Sequence, residues 1–379
     1  MARSGLLTRA YLEKILYLAT QMLMAQPRIE LHTGCFNPDS YCQIIEGNSA
    51  ALSMLLQSAV DTDSLGQENG DVICQPKLNR ALCFERNIGE NLLAVYANEV
   101  APMTAIASVV NAAIDTALTL TPTEMAAYRL SDELRALEWD RRVFSQEKHR
   151  PINTEETATA DPSPFLLRSP RDRKLGVLLV HGFLANPGEM RPFGEAVHAV
   201  GYSVMGVRLK GHGTSPWDLR ARTRRDWERS VHRRVEILRA YCEKSCLAGF
   251  STGGTLALLQ ALTSSEVVAG IAAVSPVFRF RNRRMHLVPL VHGANRLLEW
   301  FTKQGDFLPF RPAETEHPTF NYRHMPVRGL YELTLLASTV KQSLSGIHCP
   351  TLIIQGTADP VVDHSGAAVI VDRPGGADK

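Results

Sequence analysis

The sequence has 379 residues, 45% hydrophobic and 21% charged, a length that admits two domains or one large domain with an extension and a composition that reads as soluble and globular. Its 41 basic and 39 acidic residues leave a formal net charge of +2, so no global basic field argues for nucleic acid as a partner. Seven cysteines, an odd number in a chain of this size, argue against a secreted disulfide scaffold.

At the N-terminus Arg3 precedes Leu6, Leu7 and an apolar run over Ile15–Ala25, which imitates a signal peptide, but Arg9, Glu13 and Lys14 interrupt it and fit an amphipathic helix better. The expected location is therefore cytoplasmic. Apolar residues recur at helical spacing in Leu12, Ile15, Leu16, Ala19 and Leu23, and again in Leu92, Leu93, Val95, Tyr96 and Val100. Strand-like alternation is scarce, so residues 1–150 are expected to form a mostly helical extension of unknown role. The apolar stretch Pro102–Leu120 is broken by Asn111 and Asp115, which argues against a membrane span. Cys35 with Cys42 and Cys242 with Cys246 have no histidine placed to complete a zinc site, so no metal is expected.

Residues 151–164, polar and flanked by prolines, read as a linker. From Phe165 the rhythm changes to short apolar runs separated by helical patterns, the signature of βαβ units and a mainly parallel sheet. Strands are predicted over Leu175–Val180, Tyr202–Leu209, Cys246–Phe250, Val268–Val274 and Pro350–Gln355. Helices are predicted over Gly188–Val200, Arg224–Tyr241, Thr252–Thr263 and Leu330–Lys341. The interval 277–349 is too long for a simple crossover and reads as a helical cap over the C-terminal edge of the sheet. Its apolar residues Leu287, Val288, Leu290, Leu297, Leu298, Trp300 and Phe301 would either line an acyl pocket or pack the cap's own core. Two arginine clusters, 220, 222, 224, 225 and 279, 281, 283, 284, read first as solvated faces, with an anionic partner or a membrane surface as the competing reading.

Four segments carry chemistry. Gly249-Phe250-Ser251-Thr252-Gly253 follows a strand and precedes a helix, the setting of a nucleophile elbow, where flanking glycines let strand and helix backbones pass close to a strained serine. Leu178-Leu179-Val180-His181-Gly182-Phe183 ends a strand in His-Gly. A tetrahedral acyl-transfer intermediate needs two preorganised donors, and the backbone N–H groups of Thr252 and Phe183 are the candidates. His181 precedes the serine and is expected to hold the oxyanion loop by hydrogen bonds rather than to act as base. The glycine-rich turn Arg208-Leu209-Lys210-Gly211-His212-Gly213 is expected to shape the floor of the site. Last, Gly356-Thr357-Ala358-Asp359-Pro360 places a carboxylate just beyond a buried strand, where Asp359 has the chain order of an acid that orients a histidine base.

Together these segments resemble the α/β-hydrolase family of serine hydrolases, in particular bacterial carboxylesterases and monoacylglycerol lipases. The resemblance covers about residues 165–379. It implies an α/β fold with a mainly parallel sheet and a cap, no cofactor, and hydrolysis of an acyl ester or lipid through Ser251, with Phe183 and Thr252 as oxyanion donors and Asp359 as the acid. In that family the acid strand is followed by a helix, a further strand and a loop bearing the catalytic histidine. Here Ser365–Arg373 matches the helix and Gly375–Lys379 its exit, and the sequence ends before a histidine loop. His364 is the only histidine after Asp359 and reads as an exposed loop residue. The expectation is a truncated chain whose activity is impaired for want of its histidine. A non-catalytic binding protein on the same scaffold, a thioesterase and a C–C hydrolase are the alternative readings. The sequence sets neither the acyl length nor the oligomeric state.

Overall fold

A computed structural model describes residues 6–79, 92–170, 174–282, 288–293, 308–313 and 316–371. The chain divides into two compact units, Met1–Met125 and Ala126–Lys379.

The first unit is mostly helical. Helix α1 (Arg9–Met24) is capped by Thr8, whose hydroxyl accepts the Tyr11 N–H at 3.2 Å; of the residues expected on its apolar face it buries Leu12, Ile15 and Ala19 and half-buries Leu16 and Leu23, and Leu18 is buried as well. It is followed by α2 (Pro38–Ile45), α3 (Ala50–Asp61), α4 (Leu92–Val100) and α5 (Thr104–Thr119). Three short strands that the sequence reading lacks, β1 (Leu6–Leu7), β2 (Leu65–Glu68) and β3 (Asp71–Cys74), pair antiparallel in the order β1-β3-β2. Asn69 and Gly70 close the β2–β3 hairpin with φ of +51° and +87°, the left-handed pair that a two-residue turn requires.

The second unit opens on α6 (Pro122–Phe144), most of which belongs to it, and is built around a six-stranded sheet. Its strands are β4 (Phe165–Leu167), β5 (Leu175–Val180), β6 (Ser203–Val207), β7 (Lys244–Phe250), β8 (Val268–Val274) and, beyond the two-stranded ribbon of β9 (Phe310–Pro312) and β10 (His324–Pro326), β11 (Thr351–Ile354). Their order is β11-β8-β7-β5-β6-β4, and only β4 runs antiparallel to its neighbour. Leu178, Leu179, Val180, Val204, Met205, Val207 and Leu247 are wholly buried, as expected of parallel strands covered on both faces. The intervening helices are α7 (Arg191–Ala199), α8 (Pro216–Ala221), α9 (Arg224–Leu238), α10 (Thr252–Thr263), α11 (Val327–Ser343) and α12 (Ser365–Val371).

From β5 the chain steps outward to β6 and then returns to the other side of β5 as β7. The carboxyl ends of β5 and β7 thus flank a topological switch point, the usual ligand crevice of an open α/β sheet. His181 and Ser251 follow those two ends directly.

Within 277–349, α11 buries Leu333, Leu336 and Val340 in the main core. Of the residues considered for an acyl pocket, Val288 is buried and Leu290 exposed; Leu287, Leu297, Leu298, Trp300 and Phe301 lie outside the described residues, as do Arg283, Arg284 and Gly375–Lys379. Residues 154–164 are tied to the same unit: the Thr159 and Ala160 N–H groups both donate to the Thr319 carbonyl at 3.0 Å, and the Glu156 carboxylate accepts the Arg323 and His324 N–H groups. Arg222, read from sequence as part of a solvated face, instead turns inward and pairs with Asp218 and Asp140. Among the described residues no helix is long and apolar enough to cross a membrane.

Candidate active site

Ser251 stands between the last residue of β7 and the first of α10, with φ +53° and ψ −116°, a region that an L-residue occupies only when its surroundings force it there. Its N–H donates to the Val274 carbonyl at 2.8 Å, which ties the elbow to β8. The two flanking glycines have a steric reason. A Cβ on Gly249 would lie 2.2 Å from the Gly253 carbonyl carbon and oxygen, and one on Gly253 would lie 2.1 Å from the Val180 oxygen. Thr252 is fully buried and opens α10, so its N–H belongs to the first helical turn, whose amides lack intrahelical partners.

On the neighbouring strand, His181 is fully buried and engaged at both ring nitrogens. Its Nδ1 lies 2.9 Å from the Gly182 carbonyl, and its Nε2 accepts the Leu209 N–H at 3.2 Å. Leu209 can only donate, so Nε2 carries the lone pair and Nδ1 the proton. That proton holds the carbonyl of the Gly182–Phe183 peptide, and trans planarity then points the Phe183 N–H the opposite way. Among the described residues the Phe183 N–H has no protein acceptor. The preceding amide, Gly182 N–H, donates to Glu189 Oε2 at 2.9 Å, and Leu184 completes the loop at φ +70°. Burial raises the Glu189 pKa, which the Gly182 hydrogen bond only partly offsets.

Burial drives the His181 pKa down to about 4, with the Gly182 carbonyl opposing and the Arg208 and Arg234 charges adding to the fall. The unfolded chain protonates this side chain near the ordinary histidine value of 6.5, so the stability it confers is complete above that pH and declines as pH falls toward 4. The loss expected across this window is roughly 3 kcal/mol. His212, lowered in the same direction mainly by burial, adds to it. Urea midpoints between pH 7 and pH 4 check this: His181→Gln should flatten the dependence, and an equal slope in variant and wild type would contradict it.

The glycine-rich turn lies beneath this loop. Gly211 has φ +86°, and a Cβ there would meet the Leu219 backbone at 2.9 Å. His212 is fully buried, with ring centroids 5.1 Å from His181, 6.0 Å from Phe183 and 5.9 Å from Trp227. Tyr322 pins the turn: its hydroxyl accepts the Thr214 N–H at 2.6 Å and donates to the Gly211 carbonyl at 3.1 Å.

Asp359 lies in the loop after β11. Its Oδ1 accepts the Val361 and Val362 N–H groups, both at 2.9 Å, and its Oδ2 accepts Gln355 Nε2 at 3.2 Å. Partial burial pushes the carboxyl up, but these bonds and one from the Ser275 side chain outweigh it and hold the pKa below the usual carboxylate range. Ser275, at φ +46°, donates its N–H to the Ile354 carbonyl at 2.7 Å. A ladder of such contacts thus runs from Ser251 through the end of β8 to the end of β11, placing serine and acid on one edge of the sheet. His364 is exposed, and among the described residues Asp359 has no histidine partner. Among the described residues no cluster of three or more metal-ligating side chains occurs. Glu189, Ser275 and Tyr322 went unnoticed in the sequence because single polar residues in loops carry no periodic signal.

Residues 171–379 match the family described as serine aminopeptidase, S33. A thermostable monoacylglycerol lipase of Bacillus sp. (strain H-257) is 33% identical over 202 residues, 52% of this chain and 75% of the relative. A carboxylesterase of Bacillus subtilis (strain 168) is 24% identical over 213 residues, 56% of this chain and 82% of that one. Among solved structures, one from work on the metagenome-derived lipolytic enzymes LipS and LipT is 26% identical, with a TM-score of 0.50 over 59% of this chain and 86% of the other. A strained serine between strand and helix, at the switch point of a mainly parallel sheet, agrees with these likenesses: the chain belongs to the serine aminopeptidase S33 family of α/β-hydrolases.

Proposed function

We propose that the chain hydrolyses carboxylic esters, as a carboxylesterase or monoacylglycerol lipase does, by attack of Ser251 on the acyl carbonyl. The Phe183 and Thr252 amides hold the developing oxyanion, and Asp359 is the acid that orients a histidine base. The observation that carries this reading is the backbone of Ser251: a φ of +53° at a half-buried serine between strand and helix persists only where surrounding contacts over-determine it, as a nucleophile elbow requires. Likeness to the two Bacillus enzymes supports an ester or lipid substrate. A cytoplasmic location belongs to the same reading and rests on six cysteines, all free, among the described residues.

The test compares initial rates on a short-chain aryl ester, a monoacylglycerol and an amino-acid anilide, for the chain and its Ser251→Ala variant, with and without imidazole as an exogenous base. Ser251-dependent turnover that favours the esters supports the proposal. Turnover confined to the anilide points to amide hydrolysis, and rates equal to Ser251→Ala on every substrate would overturn the reading. His364→Ala is expected to leave the ester rate within about 2-fold, because an exposed histidine with no contact to the acid has no means of becoming the base. A larger loss would identify His364 as the base.

A further inference from the structure

Helix α6 precedes every motif of the hydrolase fold and lies outside the residues that match the family, yet it delivers a carboxylate to the floor of the site. Asp140 is 1% exposed and gathers three cations, with Arg208 Nη2 at 2.8 Å, Lys210 Nζ at 2.9 Å and Arg222 Nη2 at 3.2 Å. Glu133, two turns earlier on the same face, pairs with the buried Arg234 of α9. Asp218 is the other carboxylate in the Asp140 cluster. It takes Arg222 at 2.5 Å and the Thr214 hydroxyl at 2.6 Å.

Two short paths lead from Asp140 to Phe183. Between Arg208 and Lys210 sits Leu209, whose N–H donates to His181 Nε2, and His181 in turn holds the Gly182 carbonyl. Arg208 Nη1 also donates to the His212 carbonyl at 3.2 Å, and the His212 ring meets the Phe183 ring edge-on. A single carboxylate on α6 thus fixes both residues that flank Leu209 and, through them, the Gly182–Phe183 peptide, whose N–H has no protein acceptor among the described residues.

Resting on the function proposed above, we propose that Asp140 is a positioning residue for the oxyanion donor Phe183, so that α6 belongs to the catalytic unit. The physical reason is charge balance in a dry site. With Asp140 neutralised, the three converging cations keep Asp218, and Arg208 also Glu133, as opposing charge, too little to balance them, and their repulsion opens the Arg208–Lys210 turn. Leu209 then draws away from His181, the Gly182–Phe183 peptide loses its restraint, and the donor leaves the position that the transition state needs. Such a defect lowers kcat while substrate binding is spared, since the oxyanion develops only in the transition state.

The experiment uses the full 379-residue chain with Asp140→Asn, and Asp132→Asn as the comparison. Asp132 is another buried carboxylate of α6, and it pairs with Arg135 of its own helix at 3.0 Å. Asp140→Asn is expected to lower kcat for the aryl ester roughly 10- to 100-fold with KM within about 2-fold, and Asp132→Asn to keep kcat within about 2-fold even where its melting temperature falls. Amide hydrogen exchange over residues 178–186 should quicken in Asp140→Asn and not in Asp132→Asn, a readout that needs no turnover. Should Asp140→Asn fail to fold, Lys210→Met leaves Asp140 its two arginines and is expected to show the same pattern with a roughly 3- to 10-fold loss of kcat. Wild-type kcat together with wild-type exchange in Asp140→Asn, or in Lys210→Met if that is the folded variant, would overturn the inference. Equal changes in both Asp variants that merely follow their stability would overturn it too. Absence of any Ser251-dependent turnover in the wild type would instead strike the proposed function, and the exchange data would still decide whether Asp140 holds the loop.

Discussion

Gly253→Ala is expected to be among the most damaging single-methyl changes in the described residues. The added Cβ would lie 2.1 Å from the Val180 oxygen, 2.6 Å from its carbonyl carbon and 2.7 Å from the His181 oxygen. All three are backbone atoms of the end of β5 and the residue that follows it, so no side chain can swing aside, and relief requires β5 and α10 to move apart. Overpacking against backbone is expected to cost at least about 3 kcal/mol, and the displacement would reach Ser251 and Phe183 together. Gly249→Ala, with its Cβ 2.2 Å from Gly253, should behave alike. Gly293→Ala, where an added Cβ meets nothing within 4 Å, is the reference. Thermal melts and soluble yield measure the effect. A Gly253→Ala protein as stable as Gly293→Ala would mean that strand and helix do not approach as described.

Ser251→Ala is expected to leave the fold in place and remove acyl transfer. The serine side chain accepts no capping bond from α10, and alanine removes only a hydroxyl from a half-buried position. With imidazole supplied as the base, the Ser251-dependent part of ester kcat/KM should vanish, leaving the residual acceleration that oxyanion donors and binding supply without a nucleophile. Relief of strain gives no offsetting gain, because alanine at φ +53° is as unfavourable as serine. Rates and melting temperature measured on one preparation separate the two effects. An unchanged rate would move the nucleophile elsewhere.

Much of the hydrolase fold is legible because its inner strands are largely buried on both faces. Leu175–Val180 and Val268–Val274 are continuous apolar runs, and both form at their expected bounds. Thr252–Thr263 does so too, since the elbow marks where a helix must begin. The predicted strand Tyr202–Leu209 shortens to Ser203–Val207, as Arg208 leaves the ladder for Asp140 and Leu209 turns its N–H to His181. The three-residue edge strand β4 and the β2–β3 hairpin escape periodicity because runs so short show no alternation, although Asn69-Gly70 was a usable turn signal. Asp140 and Glu133 were illegible for another reason. A carboxylate on a polar helix reads as solvated until a partner distant in sequence is placed against it, and the cations of residues 208, 210 and 222 gave no hint of where their counter-charge would come from.

The central claim is that Ser251 is the nucleophile, facing oxyanion donors from Phe183 and Thr252. Its most direct test is reaction of the folded chain with a small alkyl fluorophosphonate, followed by intact-mass measurement and peptide mapping. Attack by the serine oxygen on phosphorus displaces fluoride and leaves a tetrahedral adduct whose oxygen occupies the oxyanion position. The account predicts a single adduct, mapped to Ser251 within the peptide that spans Gly249 to Gly253, and none in Ser251→Ala. An adduct on a different serine, or a folded wild-type chain that leaves Ser251 unmodified even with imidazole supplied as the base, would contradict it.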